Sequence, residues 1–317
     1  MKKETGTRLQ IEAISKRIQE ADPLNADDFM IHTLPILNNS GNVDGIVVAS
    51  TSIIPETNKV EKMDYFQLQA SLRDLGMIGS SIQRHRVDIR MVPNLEHTMI
   101  IIGSRLDETP RETVFHYGPW NPSGERQRTF TGTEGERTFI HSFREGMSGL
   151  DETINNLLSL QQKSTSDLNF GHTLDLANNG FQKMVVAMTE VRRKITPDFF
   201  SFQMRPYFPV LNISGQDYQA PGGAQMPVLL VDRILWGVDQ KDEVYQNYYK
   251  DAIRYLPMAY REVAQSIESE SLVTKVLTSQ STVSYESIKQ SLTSTLTSLL
   301  MFRHPHLKTA KDNFAKR

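Results

Sequence analysis

The chain has 317 residues, 38% hydrophobic and 23% charged, with a formal net charge of -2 and no cysteine. That length can bury a sizeable core as one large domain or two, and the near-neutral charge argues against a broad nucleic-acid-binding face. The missing cysteines exclude disulfide scaffolds, thiolate metal sites and cysteine nucleophiles together. No run approaches the roughly 20 apolar residues of a bilayer-spanning helix. The N-terminal MKKETGTRLQIEAISKRIQE lacks the apolar stretch of a secretory signal, so the expected location is cytoplasmic, with no membrane partner.

In chain order, residues 8–20 have the spacing of an amphipathic helix. Residues 45–49 and 98–103 are short apolar runs that read as strands, and 59–90 reads as one long helix or two. Residues 1–115 are therefore expected to form a small mixed domain. Residues 117–136 are rich in Gly, Pro and Thr, and 116–141 is assigned as a linker or covering loop. Its dense start, His116 to Pro122, suits either a lid or a well-packed surface loop. Beyond it the periodicity is helical: 150–163, 170–194, a segment starting near Pro197 with Thr196 as N-cap, 226–238, 244–277 interrupted near Pro257, and 285–314. The fold class expected is mainly α, with a helical bundle over 142–317 and a smaller mixed N-terminal domain.

Eight histidines are available: His32, His85, His97, His116, His141, His172, His304 and His306. None forms an HxxxH or HExxH pair. Pro221-Gly222-Gly223-Ala224 fits neither GxGxxG nor a P-loop, so nucleotide chemistry is not expected. In the last helix Leu292, Leu296, Leu299, Arg303, His306 and Ala310 follow at steps of three or four, one helical face. His304 lies roughly 200° from His306 around the axis, at about 100° per residue, and points outward. Two readings of His306 stand: a core histidine bonded to a backbone carbonyl, which periodicity alone favours, or an axial metal ligand. Arg303 adds weight to the second, because a buried guanidinium needs an anion and no acidic residue lies on that helix face. Pro305 is expected to kink the helix.

Phe199-Phe200-Ser201-Phe202-Gln203-Met204-Arg205 offers flat apolar rings, a hydroxyl and a bidentate carboxylate clamp. It suits a pocket wall for an aromatic amino acid, or an aromatic core segment whose arginine reaches the surface. Ala220-Pro221-Gly222-Gly223-Ala224-Gln225 precedes an apolar helix; its small residues admit a planar ligand, or make a simple turn.

Taken in order, FFSFQMR, PGGAQMPVLLVDRILWG, IRYLPMAYR and RHPHL resemble motifs of the indoleamine and tryptophan 2,3-dioxygenase superfamily of haem proteins. In the third motif Tyr260 stands where that family has histidine. HYGPWNPSGERQRTFTG and RPYFPVLNISGQDYQAP resemble most the bacterial branch that contains monodechloroaminopyrrolnitrin synthase. The resemblance implies haem b as cofactor, with His306 as the axial iron ligand and Arg303 as a propionate partner. It implies Arg205 on a substrate carboxylate, Phe199, Phe200 and Ser201 in the pocket wall, and Gly222, Gly223 and Ala224 close to substrate and porphyrin. Asn156 falls near the family's small polar distal position, on a helix with no histidine of its own although His141 precedes it.

The function so implied is a haem-dependent oxygenase using dioxygen on tryptophan, a tryptophan derivative or another amino acid, in secondary metabolism. Two alternatives remain open: a hydroxylase or peroxide-using haem enzyme of a non-tryptophan amino acid, and a helical haem-binding sensor without turnover. The expected partners are the amino-acid substrate and dioxygen, with a homodimer left open.

Overall fold

The computed structural model describes residues 11–222, 225–238, 242–280 and 283–314, with residues 11 and 306–314 as backbone only. Fourteen α-helices are present among them: α1 Ile11–Glu20, α2 Leu34–Ser40, α3 Val43–Thr51, α4 Thr57–Glu61, α5 Tyr65–Arg84, α6 Leu95–Leu106, α7 Val114–Tyr117, α8 Glu134–Gln161, α9 Phe170–Lys194, α10 Val228–Trp236, α11 Glu243–Ile253, α12 Met258–Ser266, α13 Leu272–Leu277 and α14 Tyr285–Phe314. A single antiparallel hairpin, β1 Leu211–Ile213 and β2 Gln216–Tyr218, is the sheet found there. The fold is mainly α, as expected.

Two strand expectations are overturned. Residues 45–49 lie in α3, because the Asn42 side chain accepts from Gly45 N at 2.9 Å and caps a helix there. Residues 98–103 lie in α6, whose buried Leu95, Thr98, Met99, Ile102 and Leu106 recur at helical steps. The N-terminal part is thus helical rather than mixed. Both runs are short and rich in isoleucine or valine, for which periodicity cannot separate strand from buried helix.

The described chain packs as two compact units. One comprises Glu12–His141 and Arg193–Gln225, the other Ser142–Arg192 and Met226–Ala310. The segment Arg193–Gln225, which carries the FFSFQMR motif, therefore belongs with the N-terminal residues.

In the unit holding the N-terminal residues, α5 is the axis. It starts from a capping box in which Asp64 accepts from Gln67 N at 2.9 Å and Gln67 returns the bond to Asp64 N at 3.0 Å. Every residue from Leu68 to Ile82 is buried, including Arg73 and Asp74. Such charges survive burial only when paired and hydrogen-bonded. Arg73 Nε reaches Asp74 Oδ1 at 2.7 Å, and Arg128 Nε reaches the same oxygen at 3.3 Å. Asp27 accepts from Arg126 at 2.7 Å and also from Arg128. Burial pushes the Asp74 pKa up, but the Arg73 and Arg128 charges outweigh it and hold the carboxyl below its ordinary value.

The same unit absorbs what was assigned as a linker or covering loop. Residues 111–122 are buried throughout, and so are 127–131. Glu136, at the start of α8, collects four donors: Phe130 N at 2.8 Å, Thr131 N and Thr131 Oγ1 at 2.7 Å, and Tyr117 Oη at 3.0 Å. One carboxylate thereby satisfies backbone that a buried loop would otherwise strand. The segment is interior structure; a polar composition disguised it.

In the other unit α8 and α9 cross where glycine faces glycine. A Cβ on Gly149 would stand 2.3 Å from Gly180 O, and one on Gly180 would stand 2.7 Å from Gly149 O. Thr153 Oγ1 spans the crossing, donating to Gly149 O and Ala177 O at 2.9 Å each. α14 packs on α9 through Phe181 and Phe302, edge to face at 6.0 Å, and through Ser298, which accepts from Gln182 at 2.5 Å and donates to Asn178 at 2.6 Å. The helix runs through Pro305 to Phe314.

Candidate functional site

The aromatic motif begins with the cap read from sequence: Thr196 Oγ1 accepts from Phe199 N at 3.2 Å. A π-helical turn, Phe199–Met204, follows, and a 3-10 turn, Arg205–Tyr207, ends it. π-Turns of this kind widen the helix and re-aim side chains, often where function needs them. Phe199 and Phe200 are half-buried and Ser201 is buried. Phe199 lies so close to α8 that a Cβ on Gly135 would stand 2.7 Å from its ring. Phe200 packs on Phe139 at 5.6 Å between centroids. Deeper in, Tyr207 stacks on Phe130 at 4.9 Å and 10°, and Phe208 meets Tyr117 edge-on at 5.1 Å. Tyr207 and Phe208 anchor a ring cluster, as the core reading of the segment expects, and Phe199 and Phe200 form its partly open margin. Arg205 is half-buried at the end of the π-turn.

Gly222 lies in the same unit. A Cβ there would meet Ala220 O at 3.7 Å, an ordinary contact, so the protein itself does not require glycine at that position. Gly223 and Ala224 lie outside the described residues. Gln225, given no role of its own by the sequence, donates to Ala220 O at 2.9 Å and Gln219 O at 3.2 Å.

The remaining candidates lie in the unit of α9 and α14. Leu292, Leu299 and Phe302 are buried, Arg303 is half-buried and His304 is exposed. The side chain of His306 lies outside the described residues; its backbone continues α14. Arg303 has an anion after all, for its Nη2 donates to Asp232 Oδ2 of α10. That partner sits 71 positions earlier, out of reach of any argument from the face of α14. Burial pushes the Asp232 carboxyl above its ordinary range, and Arg303 only partly offsets it. Arg303 is 38% exposed at its side chain, so its fork is only partly enclosed.

Asn156 is half-buried on α8, and its amide donates to Glu152 O at 2.8 Å one turn back. His141 does not precede that helix but lies within it, exposed. Sequence reasoning also missed a half-buried acid on α8: Asp151 Oδ1 accepts from Tyr260 Oη of α12 at 2.6 Å. Burial, eased by that hydrogen bond, raises the Asp151 pKa to about 7.

Among the described residues no three His, Asp or Glu side chains are grouped to hold a metal ion. A haem asks for less: one axial donor, and cations or hydroxyls for its two carboxylates. The α14 sequence carries an imidazole and a guanidinium three residues apart. In the same unit the buried Tyr245 hydroxyl of α11 has no hydrogen-bond partner among the described residues and is a donor of the required kind. In chemical type these residues fit a haem. No described helix is long and apolar enough to cross a membrane. The family model described as Monodechloroaminopyrrolnitrin synthase PrnB matches residues 26–313, from before α2 to the last turn of α14.

Proposed function

From the premise that the chain belongs to the monodechloroaminopyrrolnitrin synthase PrnB family, we propose that it is a haem-dependent oxygenase acting on a tryptophan derivative in secondary metabolism. The match over residues 26–313 carries this reading, because it spans both units and all four motifs rather than one segment. A haem held by a neutral imidazole would supply the redox-active iron that the reaction needs.

The chain supplies the rest. His306 would supply the imidazole that holds the iron, and Arg303, which donates to Asp232, would pair with a propionate. Arg205 pairs with the substrate carboxylate, which fixes one end of the amino acid. Phe199 and Phe200 give the indole a flat apolar margin, held in place by Gly135 and Phe139. Ser201 supplies a buried hydroxyl beside those rings. Rings on this wall exclude water, which strengthens the arginine clamp.

The test is spectroscopic. Protein expressed with a haem precursor should show a Soret band that His306→Ala abolishes or displaces and His304→Ala leaves in place. Tryptophan or a chlorinated analogue should perturb that band, and Arg205→Leu should weaken the response about ten-fold or more, as loss of a charge-assisted clamp requires. A wild-type protein without a Soret band refutes the haem reading. A band indifferent to every tryptophan analogue refutes the substrate class.

A further inference from the structure

Where α6 and the segment after it meet the β1–β2 hairpin there is a cleft of about 290 Å3, lined by none of the residues assigned above. That is the lower edge of the roughly 300–1,000 Å3 of ligand pockets, so it suits a ligand of few atoms. Ile100, Pro110 and Ile213 give it apolar walls, Ser104 and Ser214 add hydroxyls, and Glu108 adds a carboxylate. No Lys, Arg or His lines it among the described residues. A second carboxylate, Glu96, holds the hairpin turn by accepting from Ser214 N at 2.7 Å. Arg111 donates to Tyr218 O at 2.9 Å, but its charge is met by Glu112 at 2.8 Å. Charge in this cleft therefore favours a cation.

Glu108 is fixed at its backbone and at its side chain. α6 ends in a Schellman motif: Asp107 takes a φ of 53°, Asp107 N donates to Ser104 O at 3.3 Å, and Glu108 N donates to Gly103 O at 2.9 Å. A Cβ on Gly103 would stand 3.0 Å from Glu108 O and 2.9 Å from Pro110 Cα, so the chain leaving the helix lies close against it. The side chain is held by a relay with one direction. A backbone N–H can only donate, so Thr113 N, 3.0 Å from His116 Nδ1, makes that nitrogen the acceptor. Burial first, and then the Arg73 charge, pull the His116 pKa down to about 3, so the ring is neutral. Its Nε2–H therefore donates to Gln69 Oε1 at 2.9 Å. That bond turns Gln69 Nε2 towards Glu108, where it donates to Oε1 at 3.1 Å and Oε2 at 3.0 Å. A carboxylate has about four acceptor sites, so these two bonds do not by themselves exhaust it.

We propose that this cleft binds a small organic cation, an alkylammonium whose N–H groups donate to Glu108 and whose carbons lie against Ile100, Pro110 and Ile213. The relay alone would serve as a tie between α5 and the end of α6; apolar walls beside its carboxylate are what such a tie does not need. The site involves no residue of the haem reading and stands or falls without it.

Titration of the full chain with n-butylammonium chloride tests this, against n-butanol and sodium butyrate with ionic strength held by sodium chloride. Calorimetry gives the affinity and backbone amide NMR shifts give the place. Wild type should bind butylammonium at one site with a Kd of about 1–10 mM, well within the ceiling for a ligand of about five heavy atoms. The shifts should centre on Ser104, Glu108 and residues 213–218. Butanol, which keeps the carbons and lacks the charge, and butyrate, which reverses it, should each bind at least about ten-fold more weakly. Glu108→Gln should weaken butylammonium about ten-fold, the factor of one hydrogen bond to a charged group. Ser104→Trp, which fills the cleft from its exposed wall and leaves the relay intact, should weaken it as much and decides the matter if Glu108→Gln does not fold. Wild-type affinity in a folded variant of either kind, butanol binding as tightly as butylammonium, shifts centred elsewhere, or no saturation by about 50 mM each overturn the proposal.

Discussion

Asp151 makes the stability of its unit depend on pH in a direction opposite to most carboxylates. Its pKa rises from 3.8 to about 7, chiefly through burial, with the Tyr260 hydrogen bond working the other way. A folded-state pKa above the unfolded one means that the folded protein binds the proton more tightly. The contribution is therefore fully present below about pH 4 and is lost as pH rises through about 7. At about 1.36 kcal/mol per unit, the shift corresponds to at most about 4 kcal/mol between pH 4 and pH 8. Asp151→Asn keeps an acceptor for Tyr260 Oη at 2.6 Å and removes the ionisation. Urea midpoints measured at half-unit steps from pH 4 to pH 8 should superpose for the two proteins at the acid end. At pH 8 the variant should be more stable by about 2–4 kcal/mol. Parallel curves across that range would show that the carboxyl titrates normally and that the burial argument is wrong.

Glu136→Gln should destabilise by about 2–4 kcal/mol, since an amide cannot accept from two backbone and two hydroxyl donors at once; faster hydrogen exchange at the Phe130 and Thr131 amides would locate the damage. Gly180→Ala should cost about 1–3 kcal/mol in thermal or urea unfolding, although alanine is the better helix former by roughly 1 kcal/mol, because its Cβ meets Gly149 O at 2.7 Å. A neutral or stabilising result would mean that the crossing can open. Arg128→Met should cost about 3–5 kcal/mol, as expected when one member of a buried charge network is removed. It should also advance acid unfolding: Asp27, held at about 2 by Arg126 and Arg128 against the upward push of burial, adds stability above 3.8 that fades as pH falls towards 2.

Long periodic segments were legible. Helices predicted at 170–194 and 285–314 have those same bounds in α9 and α14, because each sustains an apolar stripe over many turns. Thr196 was legible as a cap for the reason it works as one, a side-chain oxygen before a run of free backbone N–H groups. The outward aim of His304 followed from angle alone. What escaped was tertiary. Glu136, Arg128 and Asn121 look like loop residues until their partners are known, and those partners are scattered from Asp27 to Thr131. The hairpin was hidden in a Ser214-Gly215 turn with φ of 52° and 80°, flanked by strands of three residues. Asp232 lies in an apolar helix 71 positions before Arg303, so nothing in the periodicity of α14 reveals the anion that α10 provides.

The return of Arg193–Gln225 to the unit begun at Glu12 sets an order of events during synthesis. A ribosome that has just released His141 has delivered α5 and its buried ion pairs, but not Tyr207, Leu211 and Ile213 that complete the same core. At roughly 5–20 residues per second the wait is on the order of ten seconds. Throughout it Phe130, Ile78 and Met99 lack part of their cover. Cutting the gene between residues 141 and 142 would make that exposure permanent in one product and leave the other carrying Arg193–Gln225 as an unanchored insert. Neither unit of this protein can be obtained by simple truncation.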